Sequence, residues 1–271
     1  MPSDTVTGSG SLRRFLYALT VQRRVLGALV LREIVTRYGR NNIGFLWLFV
    51  EPMLFTIAIT ALWTATKAVH GSDLPIVAFA LTGYSSILLW RNMPGRCIGA
   101  LDSNKALLFH RQVRILDVYA SRIMLEFAAT SSSFVLLGIA FWAGEWLLPP
   151  EDAMEVVGGW LLLAWFGAAL GLTLGGLSEK FDLVQKLWPP TSYLIFPLSG
   201  AAFIADALPP KAREIVLHLP MLNCVEIIRE GYFGTKITAH YDVQYVVMFN
   251  LALTVTGLAL VRQIGKKSDT E

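Results

Sequence analysis

Residues 12–52, LRRFLYALTVQRRVLGALVLREIVTRYGRNNIGFLWLFVEP, turn a basic amphipathic stretch directly into an apolar one. Seven arginines (Arg13, Arg14, Arg23, Arg24, Arg32, Arg37 and Arg40) precede Ile43, after which Glu51 is the only charge before Lys67. Leu12, Phe15, Leu16 and Leu19, then Leu26, Leu29, Val30 and Ile34, recur at helical spacing, with Arg23 breaking the stripe between the two groups. The pattern predicts one or two helices lying on a bilayer surface. Their arginines would face anionic headgroups or a cytoplasmic partner, and the chain would pass into hydrocarbon from Ile43.

The rest of the chain agrees. Of its 271 residues 54% are hydrophobic and only 16% charged, which excludes an ordinary soluble domain and places the chain among integral membrane proteins. A hydrocarbon core about 30 Å thick needs roughly 20 apolar residues of helix. Six stretches are candidates: Ile43 to about Thr66; Leu74 past Trp90; a helix opened by Asp117 as N-cap, with its uncharged part from Phe127 to Gly144; Val156 to Ser178; Leu187 to Ile204, interrupted by Pro189, Pro190 and Pro197; and about Val243 to Val261. Between the last two, residues 205–242 hold two amphipathic pieces, Ala212 to Leu219 and Leu222 to Phe233, each too short to cross. They read equally as helices that dip into the outer leaflet and return, or as interfacial helices.

The expected fold is therefore an all-α integral membrane protein with six transmembrane helices, an N-terminal amphipathic interface helix, and short re-entrant or interfacial helices before the last span. Residues 1–42 form the tail and interface helix, and 43–264 the permease-like body. Within that body lie a cytoplasmic loop at about 101–116 and an outer segment at about 205–240; residues 265–271 are a second tail. Eighteen lysines and arginines fall on the side of the termini against five on the other, so both termini are expected in the cytoplasm. No signal-peptide pattern is legible at the N-terminus. Cys97 and Cys224 have no metal or redox spacing and fall on opposite sides of this topology. A net charge of +3 gives no reason to expect nucleic acid as a partner.

Phosphate-loop, HExxH and GxSxG patterns are absent, and His70, His110, His218 and His240 are scattered without ligand spacing. The chain is expected to be a conduit or scaffold that binds no cofactor itself. Four constellations stand out. The loop Ser103 to Phe109 puts Leu107, Leu108 and Phe109 beside Arg111 and Arg114, a surface for docking in a partner's groove or for resting on lipid. Arg91 and Arg96, costly at membrane depth, either face a cavity with Tyr84 and Trp90 or mark the cytoplasmic end of the second span by snorkelling. Glu51, next to a helix-kinking Pro52, calls for a basic partner such as one from the second span, as a structural ion pair in preference to a pathway residue. Arg122 and Glu126, at i and i+4, are placed to offset each other. In the fourth span Gly167, Gly171 and Gly175 form a doubled GxxxG, read as packing within the chain more readily than as a dimer seam. The tryptophans near span ends (Trp142, Trp146, Trp160, Trp165, Trp188) read mostly as interfacial anchors.

Several residues carry a resemblance: Leu31-Arg32-Glu33 with Arg37-Tyr38; Gly44, Trp47 and Glu51-Pro52; Gly99-Ala100, Asn104, Val113, Asp117, Arg122 and Leu125-Glu126; and Pro220 to Arg229 with Glu226. With these the chain resembles the membrane-spanning subunits of ABC-type exporters for capsular polysaccharide, the KpsM-like permeases of Gram-negative bacteria. It departs from them at Leu219-Pro220 and Asn223, where such permeases usually have Asn-Pro and a later histidine. The resemblance implies a homodimer in the inner membrane that binds two ATP-binding subunits, with ATP and Mg held by those partners. Periplasmic and outer-membrane export components and a lipid-linked acidic polysaccharide complete the implied set. It makes Arg32, Glu33, Arg37 and Tyr38 part of a gate helix, and Asn104, Lys105, Leu107, Leu108 and Phe109 a coupling helix. It makes Glu226 and Arg229 part of an outer lid, while the residue pattern itself leaves Trp47, Glu51, Tyr84, Trp90, Arg91 and Arg96 as candidates for the translocation path. The rivals are a permease for O-antigen, another polymer or a drug in the same superfamily, and a membrane enzyme acting on lipid-linked sugars.

Overall fold

The computed structural model describes residues 9–39, 42–66, 74–105 and 113–268. All regular structure among them is helical, with no strand. Helix α1 (Ser9–Tyr38) runs unbroken through Arg23, so the N-terminal stretch is one 30-residue helix, not two. It stops where Gly39 takes φ +81°, a left-handed conformation suited to glycine, while the Gly39 N–H donates to Val35 O at 2.9 Å. Leu16, Tyr17 and Leu19 in its first half are exposed, whereas Leu29 is buried and Val30 and Ile34 pack on Leu48, Leu125 and Ala129. The helix thus has one free apolar end and one anchored end.

Helix α2 (Asn42–Thr66) contains Pro52, and its Thr56, Thr60 and Thr64 hydroxyls each donate to the carbonyl four residues back, so they are satisfied within the helix. Helix α3 (Ile76–Cys97) is the central post: every residue from 78 to 90 is buried. Helix α4 (Ile115–Ala143) begins two residues before Asp117, which is therefore its third residue and not its cap. The Asp117 Oδ2 accepts from the Arg114 N–H at 2.9 Å, bending back over the first turn. Helix α5 (Ala153–Ser178) starts three residues earlier than expected because Asp152 caps it, accepting from Met154 N and Glu155 N at 2.8 and 3.1 Å.

The fifth expected stretch is not a continuous helix. Helix α6 (Leu183–Ile195) absorbs Pro189 and Pro190, then gives way to a 3₁₀ turn at Phe196–Ser199 and to Gly200 at φ +80°. Thirteen residues reach only about 20 Å, short of a bilayer core. Helix α7 (Pro210–Val216) is a single exposed piece, and helix α8 (Pro220–Phe233) follows; each opens on a proline whose missing N–H costs nothing in the first turn. Every residue of α8 except Glu230 is buried, packed against α5 and α3. An interfacial helix would expose one face; α8 does not. Helix α9 (Val243–Ser268) closes the chain against α5.

Among the described residues four helices are long and apolar enough to cross a membrane, over Leu46–Thr66, Ile115–Ala143, Ala153–Ser178 and Val243–Lys266. Helix α3 has the length, but Thr82, Ser85, Ser86, Arg91, Asn92 and Arg96 lower its hydropathy, and its neighbours bury it in place of lipid. The doubled GxxxG lies on that contact. A Cβ at Gly167 would sit 3.0 Å from Met93 Sδ and Trp90 Cα, and one at Gly175 2.7 Å from Tyr119 Cε1 and 3.0 Å from Cys97 Cβ. The glycines let α5 approach α3 within one chain. Because the Trp90 Cα is backbone and cannot swing away, Gly167→Leu is expected to destabilise the protein by about 1 to 3 kcal/mol. A lowered thermal midpoint in detergent is the check, and Gly158→Leu, where no atom lies within 4 Å, is the neutral control.

Both cysteines are buried free thiols. Of the tryptophans, Trp142 and Trp146 are exposed, whereas Trp160 stacks on Phe134 and Trp165 donates to Thr254 Oγ1 at 3.0 Å. Those two are packing residues as well as large apolar ones.

Candidate functional site

Arg96 and Glu51, two of the charges expected to be costly at membrane depth, join an ion cluster where α1, α2, α3 and α4 meet. Glu33 and Arg37 sit one turn apart on α1, 3.3 Å from each other. Arg122 of α4 reaches Glu33 at 3.5 Å, and Glu126 of α4 takes both Arg37 of α1 and, at 3.2 Å, Arg96 of α3. Arg96 also faces Glu51 of α2 at 3.8 Å, and the Tyr38 hydroxyl donates to Glu51 at 3.2 Å. Signs alternate along the whole chain of contacts, Arg122, Glu33, Arg37, Glu126, Arg96, Glu51, so three bases and three acids are spent with none left over. The Arg122 and Glu126 pair expected from their i, i+4 spacing does not form; each is drawn to a partner on another helix.

The arrangement sets the protonation of its members outside the spans. Burial pulls the Arg37 guanidinium towards neutrality, but Glu126 and Tyr38 more than reverse this, leaving its pKa above the ordinary arginine value. The Tyr38 hydroxyl is pushed up by burial against the opposing effect of Arg37, so it stays a donor. Arg122 also donates to the Arg96 carbonyl at 2.6 Å and to Ser103 Oγ at 3.2 Å, which carries the cluster to the turn after α3. In that 3₁₀ turn (Asp102–Asn104), Asn104 is buried, donates to Ala100 O at 2.8 Å and accepts from Arg32 Nη1 at 2.6 Å. Lys105 is exposed and pairs with Asp102 at 2.8 Å. Leu107, Leu108 and Phe109 lie outside the described residues.

Two open grooves flank Arg91 and Arg96. One, of about 310 Å³, runs from Tyr38 and Glu51 past Arg91 and Arg96 to Glu126; the other, of about 360 Å³, continues between α3 and α6, where Asn92, Gln185, Trp188 and Tyr193 join them. Arg91 stacks on the Tyr193 ring at 4.0 Å and donates through Nε to Ser192 Oγ at 3.3 Å. The other expected path residues are elsewhere. Trp90 is buried against Phe166 and Trp188; Tyr84 belongs to an aromatic cluster with Phe55, Trp63 and Phe196; Trp47, half-exposed, borders neither groove. Glu126, Arg122 and the α6 side chains were not singled out for this site from sequence.

At the far end, Arg229 of α8 is fully buried, donates to Ala201 O at 2.9 Å and to Phe203 O, and lies 3.8 Å over the Phe79 ring. Glu226 accepts from Ala205 N at 3.1 Å and from His240 N at 3.3 Å. These two side chains stitch the irregular 200–206 and 237–242 segments to α8. Among the described residues no group of three or more His, Cys, Asp or Glu is placed to hold a metal ion.

Residues 24–233, from the second half of α1 to the end of α8, match the ABC-2 type transporter family. The chain belongs to that family. Its relatives within it include the capsule polysaccharide export inner-membrane protein CtrC of Neisseria meningitidis serogroup B, 44% identical over 93% of this chain and 95% of that protein. The capsule polysaccharide export inner-membrane protein BexB of Haemophilus influenzae is 40% identical over 95% of this chain and 97% of that protein. The polysialic acid transport protein KpsM of Escherichia coli is 27% identical over 89% and 94%. For this ABC-2 type chain the alternating-charge cluster, both grooves and α8 all fall inside the matched residues.

Proposed function

We propose that this chain is the membrane-spanning permease subunit of an ATP-driven exporter that moves lipid-linked acidic capsular polysaccharide across the inner membrane. One observation carries the reading: the 44% identity to a capsule polysaccharide export inner-membrane protein extends over nearly the full length of both chains. An O-antigen export permease of Myxococcus xanthus is 26% identical over 78% of this chain, so a neutral-polymer or drug permease is the less favoured reading.

In this account six segments cross, with α3 shielded by its neighbours and α6 plus its 3₁₀ turn completing the fifth. Residues 1–42 lie on the cytoplasmic surface, 43–264 form the permease body, and 265–271 return to the cytoplasm. The 205–240 segment is re-entrant, which the burial of α8 supports because a helix of 14 residues cannot cross yet is enclosed on all sides. Two copies pair around the path, and two separate ATP-binding subunits hold ATP and Mg. Their closure pushes on the 101–116 loop and on α1 through Arg32, Glu33, Arg37 and Tyr38. Asn104 transmits the push because its side chain bridges Ala100 and Arg32, joining the loop to α1. Glu51, Arg91 and Arg96 border the path at its cytoplasmic end, and Glu226 and Arg229 hold the outer lid. The permease contributes differential contacts in two states, and the partner supplies the free energy.

Two measurements test this. In cells lacking the chain, acidic polymer should accumulate in the cytoplasm and reappear at the surface when the chain is restored; normal surface polymer in its absence contradicts the reading. The double variant Leu107→Asp plus Leu108→Asp should abolish co-purification with the ATP-binding subunit, since two buried charges in a helix-in-groove contact cost several kcal/mol. An intact complex would remove the docking role of that loop.

A further inference from the structure

Arg91 is a partly buried cation with bonding capacity to spare. Its ring-facing surface is spent on Tyr193 and its Nε on Ser192, and no carboxylate lies within ion-pair distance of it among the described residues. Its two terminal nitrogens, the pair that grips an oxyanion side-on, have no partner among those residues, and Arg91 lines both grooves together with Arg96. Arg96 in turn has unequal bonds. Its Nε is 3.2 Å from the buried Glu126, but its Nη2 is 3.8 Å from Glu51, and the two side chains of that second contact are 38% and 51% exposed. Such a pair is screened and readily exchanged.

We infer that Arg91 and Arg96 form a single oxyanion subsite for the transported substrate, and that its occupant displaces Glu51 from Arg96. The inference rests on the export reading above and assigns its acid-recognising residues. A carboxylate or phosphate is held by the Arg91 fork and by Arg96 Nη2, and Asn92 and Gln185 border the same groove as neutral hydrogen-bonding groups. The faces of Trp188 and Tyr193 there offer stacking surface for a sugar ring. Arg96 keeps Glu126 throughout, so the cluster tying α1 to α4 stays intact while Glu51 and Tyr38 are released. Charged groups around the subsite are Arg91, Arg96, Glu51 and Glu126, two of each sign. Releasing Glu51 is what shifts the balance towards an anion.

Competition gives a test that a merely structural role does not mimic. With the assembled permease and ATP-binding subunits, equilibrium binding of a short carboxylated oligosaccharide without lipid is compared with that of dodecyl phosphate without sugar. The probe that binds identifies the source of the oxyanion as the polymer chain or its lipid-linked end. Arg91→Gln should weaken binding of the recognised probe about tenfold or more, as expected for a lost charge-assisted contact. Glu51→Gln should tighten it severalfold, since the internal competitor is gone, and a neutral oligosaccharide of equal length should respond to neither change. Binding unaltered in Arg91→Gln, or unaltered or weakened in Glu51→Gln, overturns the inference, as does a wild-type complex that binds neither probe. If that wild-type complex still exports acidic polymer in vesicles, the export reading stands without the subsite; absence of such export removes both.

Discussion

Glu126→Ala is expected to cost about 3 to 5 kcal/mol, because it deletes the acid from a buried ion cluster and leaves the bases behind. Glu126 is 4% exposed, and its Oε1 atom receives both Arg37 from α1 and Arg96 from α3. No other acid in the cluster takes bases from two other helices in this way. Arg37 would keep only Glu33, 3.3 Å away and shared with Arg122, while Arg96 would keep only the distant Glu51. Denaturation of the detergent-solubilised protein is the measurement, with Glu126→Gln as the milder arm. A double-mutant cycle with Arg37→Gln should return a coupling well above the ~0.5 kcal/mol typical of additive, distant sites. Because Glu126 ties α4 to α1 and α3 through two ion pairs, loosening it should also free α1, and limited proteolysis within residues 9–38 should accelerate. Unchanged stability together with unchanged proteolysis would show that the cluster does not anchor α1.

Arg229→Leu is expected to be comparably damaging at the other end of the molecule. The guanidinium of Arg229 satisfies the carbonyls of Ala201 and Phe203, two groups in an irregular segment without helix partners, and its cationic face rests on Phe79. Leucine would fill part of the volume but leave both carbonyls buried and unpaired, at about 1 to 3 kcal/mol each. Arg229→Lys should recover little, because one ammonium on a flexible stem does not reproduce a fork that reaches two carbonyls two residues apart. An independent route to the same contact is Gly83→Ala: a Cβ there would stand 2.6 Å from Ala201 O and 2.9 Å from Arg229 Nη2. Both variants should lower the thermal midpoint by several degrees. If Gly83→Ala and Arg229→Leu both behave as wild type, the 200–206 segment is not held by this contact.

Much of the fold was legible in local pattern. The unbroken apolar runs read as the first, third, fourth and last spans fall on the four described helices long and apolar enough to cross, and the pairing of Glu51 with a base from α3 followed from the cost of an isolated carboxylate. The doubled GxxxG told its own story, because a stripe of glycines specifies a close neighbour wherever it is. Long-range partner choice was not legible. Arg122 and Glu126 are spaced to pair on an isolated helix, and only the arrival of Glu33, Arg37 and Arg96 from two other elements redirects them. In the fifth stretch prolines 189 and 190, read as interruptions, sit inside a helix that begins earlier, at Leu183, and the helix stops at Ile195, just ahead of Pro197, the third proline read as an interruption. Continuity of α1 through Arg23 was hidden too, since a charge in an apolar stripe reads as a break although it leaves the helical backbone undisturbed. Trp90 illustrates the limit for site residues: an aromatic beside an arginine suggests a lining pair, but successive helical residues point about 100° apart, and Trp90 turns into the core while Arg91 faces the groove.

Together these features describe a permease pinned at one end by ions and at the other by hydrogen bonds to irregular backbone. Ionic contacts between helices have discrete alternative partners, so they suit an element that must change position when a partner subunit pushes on it. In the proposed coupling Asn104 hands such a push to Arg32, to which it is hydrogen-bonded, and the alternating charges link α1 onward to α3 and α4.

Vesicle transport with purified components tests the central claim most directly. Permease reconstituted with its ATP-binding subunits should move lipid-linked acidic polymer across the bilayer only when ATP and Mg are supplied, and permease alone should neither split ATP nor move polymer. Nucleotide hydrolysis by the isolated chain, or polymer movement without the ATP-binding subunits, would contradict the account.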